Sequence, residues 1–202
     1  MHYGEIKTCD IANGPGVRVS LFVSGCTHHC KGCFNPQTWD FSYGKPFTEQ
    51  TVQTVLCAME PSYIAGITLL GGEPMEISNQ PVVTGLLREV RRRFPQKTVW
   101  CYTGYRYDVE LCPGGSVYID CTEELLSLID VLVDGEFFSS CQTDVLSCIC
   151  HISCTVLYGN DIIDVCKFCN CCRCNRYICL RFVVIHDNRK CCILSDCLIV
   201  VV

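Results

Sequence analysis

The chain has 202 residues, a net charge of −5 and 49% hydrophobic residues, which suits one domain able to bury a sizeable core. That acidic balance leaves no basic surface for nucleic acid, since the one basic cluster, Arg91, Arg92 and Arg93, falls where a helix is expected to end and complements its dipole. No apolar run reaches the roughly 18 residues of a membrane span and the start (M-H-Y-G-E) has no leader-type segment, so the 21 cysteines are expected in a reducing, cytoplasmic setting.

Residues 10–18 (D-I-A-N-G-P-G-V-R) are polar and glycine-rich and read as a turn leading into the first strand. In that strand, Val17–Val23, the apolar residues Val17, Val19, Leu21 and Val23 alternate. Cys26, Cys30 and Cys33 follow directly in the run C-T-H-H-C-K-G-C. Three thiolates so close together can hold three irons of a 4Fe–4S cube and leave the fourth iron open to a small molecule. In a chain this rich in cysteine, chance, zinc binding or disulfides would also produce such a run. His28 and His29 lie inside it, but adjacent residues rarely both reach one metal, and neither is assigned as a ligand.

Further along, Thr48 caps a helix running through Met59, with Val52, Val55 and Leu56 on one face. Residues 67–70 form a short buried strand followed by Gly71, Gly72, Glu73 and Pro74. Glycines at a strand end let backbone approach a ligand, and a carboxylate there accepts hydrogen bonds from an amine. By itself this tetrapeptide is usually a turn; downstream of the cysteine run it carries more weight. Ser78 or Asn79 then caps a helix with Pro81 early and Val82, Val83, Leu86, Leu87, Val90 and Phe94 as its apolar face. Thr98–Tyr102 is a strand, Thr122 caps a short helix bearing Leu125, Leu126 and Ile129, and residues 131–133 form another strand.

Strands alternating with helices imply an α/β fold with a parallel sheet, whose ligand chemistry lies at the C-terminal ends of the strands. The cysteine loop, G-G-E-P, Y-T-G-Y (residues 102–105) and Asp134 with Gly135 each follow a strand, so all four are expected on one rim. Too few strands are present for a full eight-fold barrel. Cys9, Cys57, Cys101, Cys112 and Cys121 read as small buried residues. Trp100, Tyr102 and Tyr105 read as packing.

Composition breaks near residue 140. Residues 141–202 hold 13 of the 21 cysteines and no Ala, Glu, Pro, Met or Trp. Three readings are open: a second metal module using Cys166, Cys169, Cys171 and Cys174, a disulfide-rich cap, or sequence that never evolved as protein. The expected division is therefore 1–140 for the catalytic domain and 141–202 for a Cys-rich tail of uncertain structure.

Taken together, C-T-H-H-C-K-G-C-F and G-G-E-P resemble the radical S-adenosylmethionine enzymes. Residues 10–26, Y-T-G-Y and V-L-V-D-G (residues 131–135) resemble more narrowly the branch that activates the anaerobic ribonucleoside-triphosphate reductase. The likeness spans residues 3–138. Many superfamily members carry an aromatic residue just before the third cysteine; this chain has Gly32 there with Phe34 following, as the narrower branch does. The resemblance implies a partial, open β/α barrel holding a 4Fe–4S cluster on Cys26, Cys30 and Cys33. It also implies S-adenosylmethionine near Gly32, Cys33, Phe34, Gly71, Gly72 and Glu73, with the last three meeting the methionyl amine. Reductive cleavage would yield a 5′-deoxyadenosyl radical that makes a glycyl radical on the reductase, fed by a flavodoxin-like or other low-potential reductant. No protein acid, base or nucleophile is required. Residues 10–18 either form a plain turn or lie beside the radical and receive a partner's peptide through Asn13 and Arg18. The alternatives are a formate-lyase-type activase, a small-molecule enzyme of the same superfamily, and a non-catalytic metal-binding protein.

Overall fold

Alternating apolar residues build the centre of the sheet. The computed structural model describes residues 1–135 and the short strands Thr155–Tyr158, Asp161–Asp164 and Arg181–Val184. Along residues 1–135 run β1 (His2–Asp10), β2 (Val17–Val23), β3 (Lys45–Pro46), α1 (Glu49–Met59), β4 (Ile64–Gly71), α2 (Gln80–Arg93), β5 (Thr98–Tyr102), α3 (Thr122–Ser127) and β6 (Val131–Asp134), with a 3-10 helix at Pro36–Trp39. Their six strands form one mixed sheet in the order β3-β1-β2-β4-β5-β6. Strands β2, β4, β5 and β6 are mutually parallel, whereas β1 runs antiparallel to β2 and β3 antiparallel to β1. Beyond residue 135, β7 (Thr155–Tyr158) pairs antiparallel with β8 (Asp161–Asp164), and β9 (Arg181–Val184) pairs antiparallel with β6. Cys166, Cys169, Cys171 and Cys174, and the expected boundary at residue 140, lie outside the described residues.

Register aligns the apolar rows. Val19 sits beside Ile67 and Ile67 beside Val99, while Leu21, Leu69, Cys101 and Leu132 form the next row. These side chains form one buried cluster with Val55, Leu56 and Met59 of α1, Val83, Leu86, Leu87 and Val90 of α2, and Leu125 and Leu126 of α3. The helices therefore cover one face of the sheet. Each fully buried aliphatic side chain contributes about 1.5–3 kcal/mol relative to exposure. Alternation sends Arg18, Ser20 and Phe22, Thr68 and Leu70, and Trp100 and Tyr102 to the other face.

Several boundaries differ from expectation. β4 begins at Ile64, and Cys121 rather than Thr122 is the N-cap of α3. Thr122 Oγ1 instead accepts from the Ile119 amide (2.8 Å) and donates to Gln80 Oε1 (2.6 Å), inside the first turn. The α1 cap is as expected at Thr48, whose amide donates to Thr51 Oγ1 (3.1 Å). β1 carries no apolar alternation to announce it: only Asp10 is buried along it, and two register shifts interrupt its pairing with β2. Of the five cysteines expected to be buried, only Cys101 is; Cys9 and Cys57 are exposed, and Cys112 and Cys121 half-buried. Small residues on helix and loop surfaces satisfy no packing demand, so cysteine there is incidental. Among the described residues no helix is long and apolar enough to cross a membrane.

Candidate metal centre

Because β2, β4, β5 and β6 run parallel, the four loops that follow them leave the sheet along one edge. Hydrogen bonds then stitch those loops together. The Gly72 amide donates to Val23 O (2.7 Å) and the Glu73 amide to Gly25 O (2.9 Å), joining G-G-E-P to the start of the cysteine loop. The Gly25 amide donates to Thr38 O (2.8 Å) and the Cys26 amide to Trp39 O (3.3 Å), closing the loop's far side. Gly72 lies so tightly between these segments that a Cβ would stand 2.7 Å from Gly25 O and 2.9 Å from Thr38 O. No side chain fits there.

Two buried carboxylates hold the rim. Glu73 is 1% exposed; its Oε1 accepts from the Met75 amide (2.8 Å) and the Thr103 hydroxyl (2.7 Å), and its Oε2 from the Gly104 amide (2.7 Å). His28 Nε2 stands 3.3 Å from Glu73 Oε2, and its ring lies 4.3 Å from that of Tyr105. A Cβ on Gly104 would come within 2.6 Å of that imidazole, so glycine is what lets the two loops close up. Glu76 accepts both the amide and the hydroxyl of Thr27 at Oε1 (2.7 Å each), and Thr27 Oγ1 is 3.2 Å from the Tyr105 hydroxyl. Burial first, then the nearby Glu76 and Glu73 charges, push Tyr105 up to about 12 against the lowering effect of the Thr27 bond. The fourth loop joins through the Gly135 amide to Tyr105 O (3.2 Å) and the Tyr107 amide to Asp134 Oδ2 (2.7 Å).

Within this frame Cys26 is buried, and Cys30 and Cys33 are half-buried. Burial pushes the Cys26 thiol up to about 11, against a lowering influence of the His28 and His29 backbone and with the Glu73 charge adding to the rise. The Asn35 amide donates to Cys33 Sγ (3.4 Å), and the Cys33 amide to Cys30 O (3.1 Å). Amide donors aimed at sulfur, not carboxylate or lysine partners, are the environment that iron–sulfur thiolates use. The donor set fits a 4Fe–4S cluster. Among the described residues no three His, Cys, Asp or Glu side chains converge on one point as ligands of a single ion would. A cube needs no such convergence, because each thiolate binds a different iron.

Gly32, Cys33 and Phe34 stand at the outer end of the loop, Phe34 being 67% exposed, and Gly71 and Gly72 lie at the β4 end beside Gly25. Both oxygens of the Glu73 carboxylate already accept from protein donors, two on Oε1 and one on Oε2. Arg18 differs from expectation. Asp10 pairs with Arg18 at the N-terminal end of β2, the end opposite to Val23 and the cysteine loop, roughly 20 Å away for a strand of this length. Arg18 is fully buried and donates to Thr68 Oγ1 (2.7 Å), Thr98 Oγ1 (2.9 Å), Ile67 O (2.8 Å) and Thr98 O (2.9 Å), leaving nothing for a peptide. Asn13 Nδ2 donates to Asp10 Oδ2 (2.6 Å). Sequence reasoning placed Thr27, Thr103 and Gly104 on the rim within their motifs but gave them no individual role, and it missed Glu76, whose one signal was a second acid three residues after Glu73.

Comparison with known proteins places this geometry. The model of the 4Fe-4S single cluster domain family matches residues 12–151, so the chain is an iron–sulfur protein by class. The anaerobic ribonucleoside-triphosphate reductase-activating protein of Enterobacteria phage T4 is 39% identical over 147 residues, covering 72% of this chain and 87% of that protein. Its namesake from Salmonella typhi is 37% identical over 148 residues (72% and 91%), and that from Vibrio cholerae 40% identical over 139 residues (68% and 84%). The chain belongs to the family of anaerobic ribonucleoside-triphosphate reductase-activating proteins.

Proposed function

We propose that this protein activates an anaerobic ribonucleoside-triphosphate reductase by generating a glycyl radical on it. The observation that carries the reading is the rim itself: C-T-H-H-C, G-G-E-P and Y-T-G-Y leave parallel strands and are hydrogen-bonded to one another, in a chain of this family. Cys26, Cys30 and Cys33 would hold the 4Fe–4S cluster. When bound, the cluster supplies one electron that cleaves S-adenosylmethionine to methionine and a 5′-deoxyadenosyl radical, which takes a hydrogen atom from the glycine.

The chain's own residues bind, orient and shield. Cys26 lies in the buried base of the loop, and Gly32 and Phe34 at its exposed end would flank the adenine. With the Glu73 carboxylate engaged by Thr103 and Gly104, the backbone of Gly71 and Gly72 is the better acceptor for the methionyl amine. The sheet, with its four consecutive parallel strands, supports a partial, open β/α barrel formed by residues 1–140 as the catalytic unit, acting in the cytoplasm with a flavodoxin-like or other low-potential reductant. Residues 152–202 lie beyond the match to the family model and are given no role.

Anaerobic reconstitution of the full chain tests this. Cys26→Ala, Cys30→Ala and Cys33→Ala should each lose the cluster absorption and 5′-deoxyadenosine formation, and Cys169→Ala should keep both. Wild-type protein mixed with the reductase should give a glycyl doublet in electron paramagnetic resonance. A full cluster in Cys33→Ala together with its loss in Cys169→Ala refutes the ligand set.

A further inference from the structure

Two adjacent carboxamides open α2, and each reaches away from its own helix. Asn79 and Gln80 are 1% and 0% exposed. Asn79 is the N-cap of α2, where asparagine ordinarily accepts from the first turn, yet its side chain makes no capping bond. Its backbone is fixed on both sides: its amide donates to Glu76 O (2.8 Å) and its carbonyl accepts from the Val83 amide (3.0 Å). From that base Nδ2 donates to Ser24 O (3.0 Å) and to Glu73 O (2.9 Å). Both neighbours are acceptors, so only the NH₂ end of the carboxamide can face them.

These bonds complete a seam between two loops. The Gly72 and Glu73 amides donate to Val23 O and Gly25 O, and Asn79 supplies a donor for the Ser24 carbonyl between them. Three consecutive carbonyls, ending one residue before Cys26, are thus held by residues 72–79. Gln80 makes a matching pair of bonds elsewhere: its Nε2 donates to Met75 O (2.9 Å) and Val117 O (2.8 Å), neither of them in the cysteine loop.

We propose that Asn79 is a positioning residue whose carboxamide fixes the cysteine loop against G-G-E-P and so sets how S-adenosylmethionine engages the cluster. The inference rests on the reading that Cys26, Cys30 and Cys33 hold the cluster and that the G-G-E-P segment meets the methionyl group. A ligand touching both segments is bound well at one separation between them. A buried side chain that donates to both holds that separation without contacting the ligand.

The test compares variants of the anaerobically reconstituted full chain. Electron paramagnetic resonance of the reduced cluster is followed as S-adenosylmethionine is added. Asn79→Leu and Gln80→Leu each strand two buried carbonyls and should be destabilised by comparable amounts in urea, with iron content kept. The S-adenosylmethionine concentration for half the spectral change should rise about tenfold or more in Asn79→Leu, as for loss of a group that orients a bound centre, and stay near wild type in Gln80→Leu. Asn79→Asp decides the matter should Asn79→Leu not fold. Aspartate suits a helix N-cap as well as asparagine does but lacks both N–H groups, so it should weaken binding as leucine does. Wild-type binding in Asn79→Asp would show that the residue serves α2 alone and overturn the proposal. An equal shift in Gln80→Leu would overturn it too, since general loosening would then suffice, as would loss of iron confined to the Asn79 variants, which would place the residue in cluster assembly. In those cases wild type still responds to S-adenosylmethionine and the proposed function stands. A wild-type cluster whose signal S-adenosylmethionine leaves unchanged would defeat the proposed function and this inference with it.

Discussion

Glu73→Gln separates two roles for the acid of G-G-E-P. In the folded protein Oε1 faces the Met75 amide and the Thr103 hydroxyl, and Oε2 faces the Gly104 amide. A glutamine keeps one oxygen and replaces the other with an NH₂ group. Turned one way, that NH₂ confronts the Gly104 amide; turned the other, it confronts the Met75 amide. Either way one backbone donor at a site 1% exposed meets another donor and goes unsatisfied. An unsatisfied buried donor costs about 1–3 kcal/mol, and the surviving bonds lose their charge assistance, worth roughly 1 kcal/mol more. We expect Glu73→Gln to destabilise the iron-free chain by about 2–4 kcal/mol in urea denaturation followed by circular dichroism. Thr103→Val should cost less alone, and the two changes together should cost less than their sum. A Glu73→Gln chain within about 0.5 kcal/mol of wild type, but with weakened S-adenosylmethionine affinity, would show that the carboxylate is there to receive the ligand's amine and refute the clamp.

Two further outcomes follow from the same rim. Gly72→Ala places a methyl group 2.7 Å from Gly25 O and 2.9 Å from Thr38 O, so backbone must part; overpacking of this kind costs about 1–3 kcal/mol, and denaturation together with iron content after reconstitution would register it. Tyr105 is held up to about 12 against an ordinary value of 10.0, so the folded chain keeps a proton that the unfolded chain has lost. Its contribution is complete below pH 10 and disappears as pH rises toward 12; the stability gap between wild type and Tyr105→Phe should therefore narrow across that window, and a gap constant with pH would contradict it.

How much of this could be read in advance depended on what each residue answers to. β2 and β5 were legible to the residue because their apolar rows answer only to their own alternation, and the cysteine run and G-G-E-P because spacing and strand ends are local facts. That the four motifs share one edge followed from the βα alternation, since parallel strands bring their C-terminal ends together. β1 was illegible: it is mostly exposed, and its register shifts break what alternation it has. Arg18 was misread for a different reason. An arginine among alternating valines looks like a surface or functional group, and nothing nearby in sequence says that Thr68 and Thr98, 50 and 80 residues away, supply its partners. Thr27 and Glu76 likewise meet only because β2 and β4 are neighbours.

The electrostatics of the rim bear on which ligand it can take. Glu73, Glu76 and Asp134 are 1%, 6% and 3% exposed along this edge, and Arg18, the one base among the described buried side chains, sits at the far end of the sheet. The donors to the three acids are mainly neutral amides and hydroxyls, which stabilise the carboxylates without cancelling their charge. Fixed negative charge of this sort, in surroundings less polar than water, repels phosphate and attracts cations. A phosphate-bearing ligand in that position would need arginines, lysines or a helix N-terminus to meet it. A sulfonium with an ammonium group needs the opposite. The same acids would lower the potential of a cluster held beside them, and the Asn35 amide that donates to Cys33 Sγ (3.4 Å) would raise it.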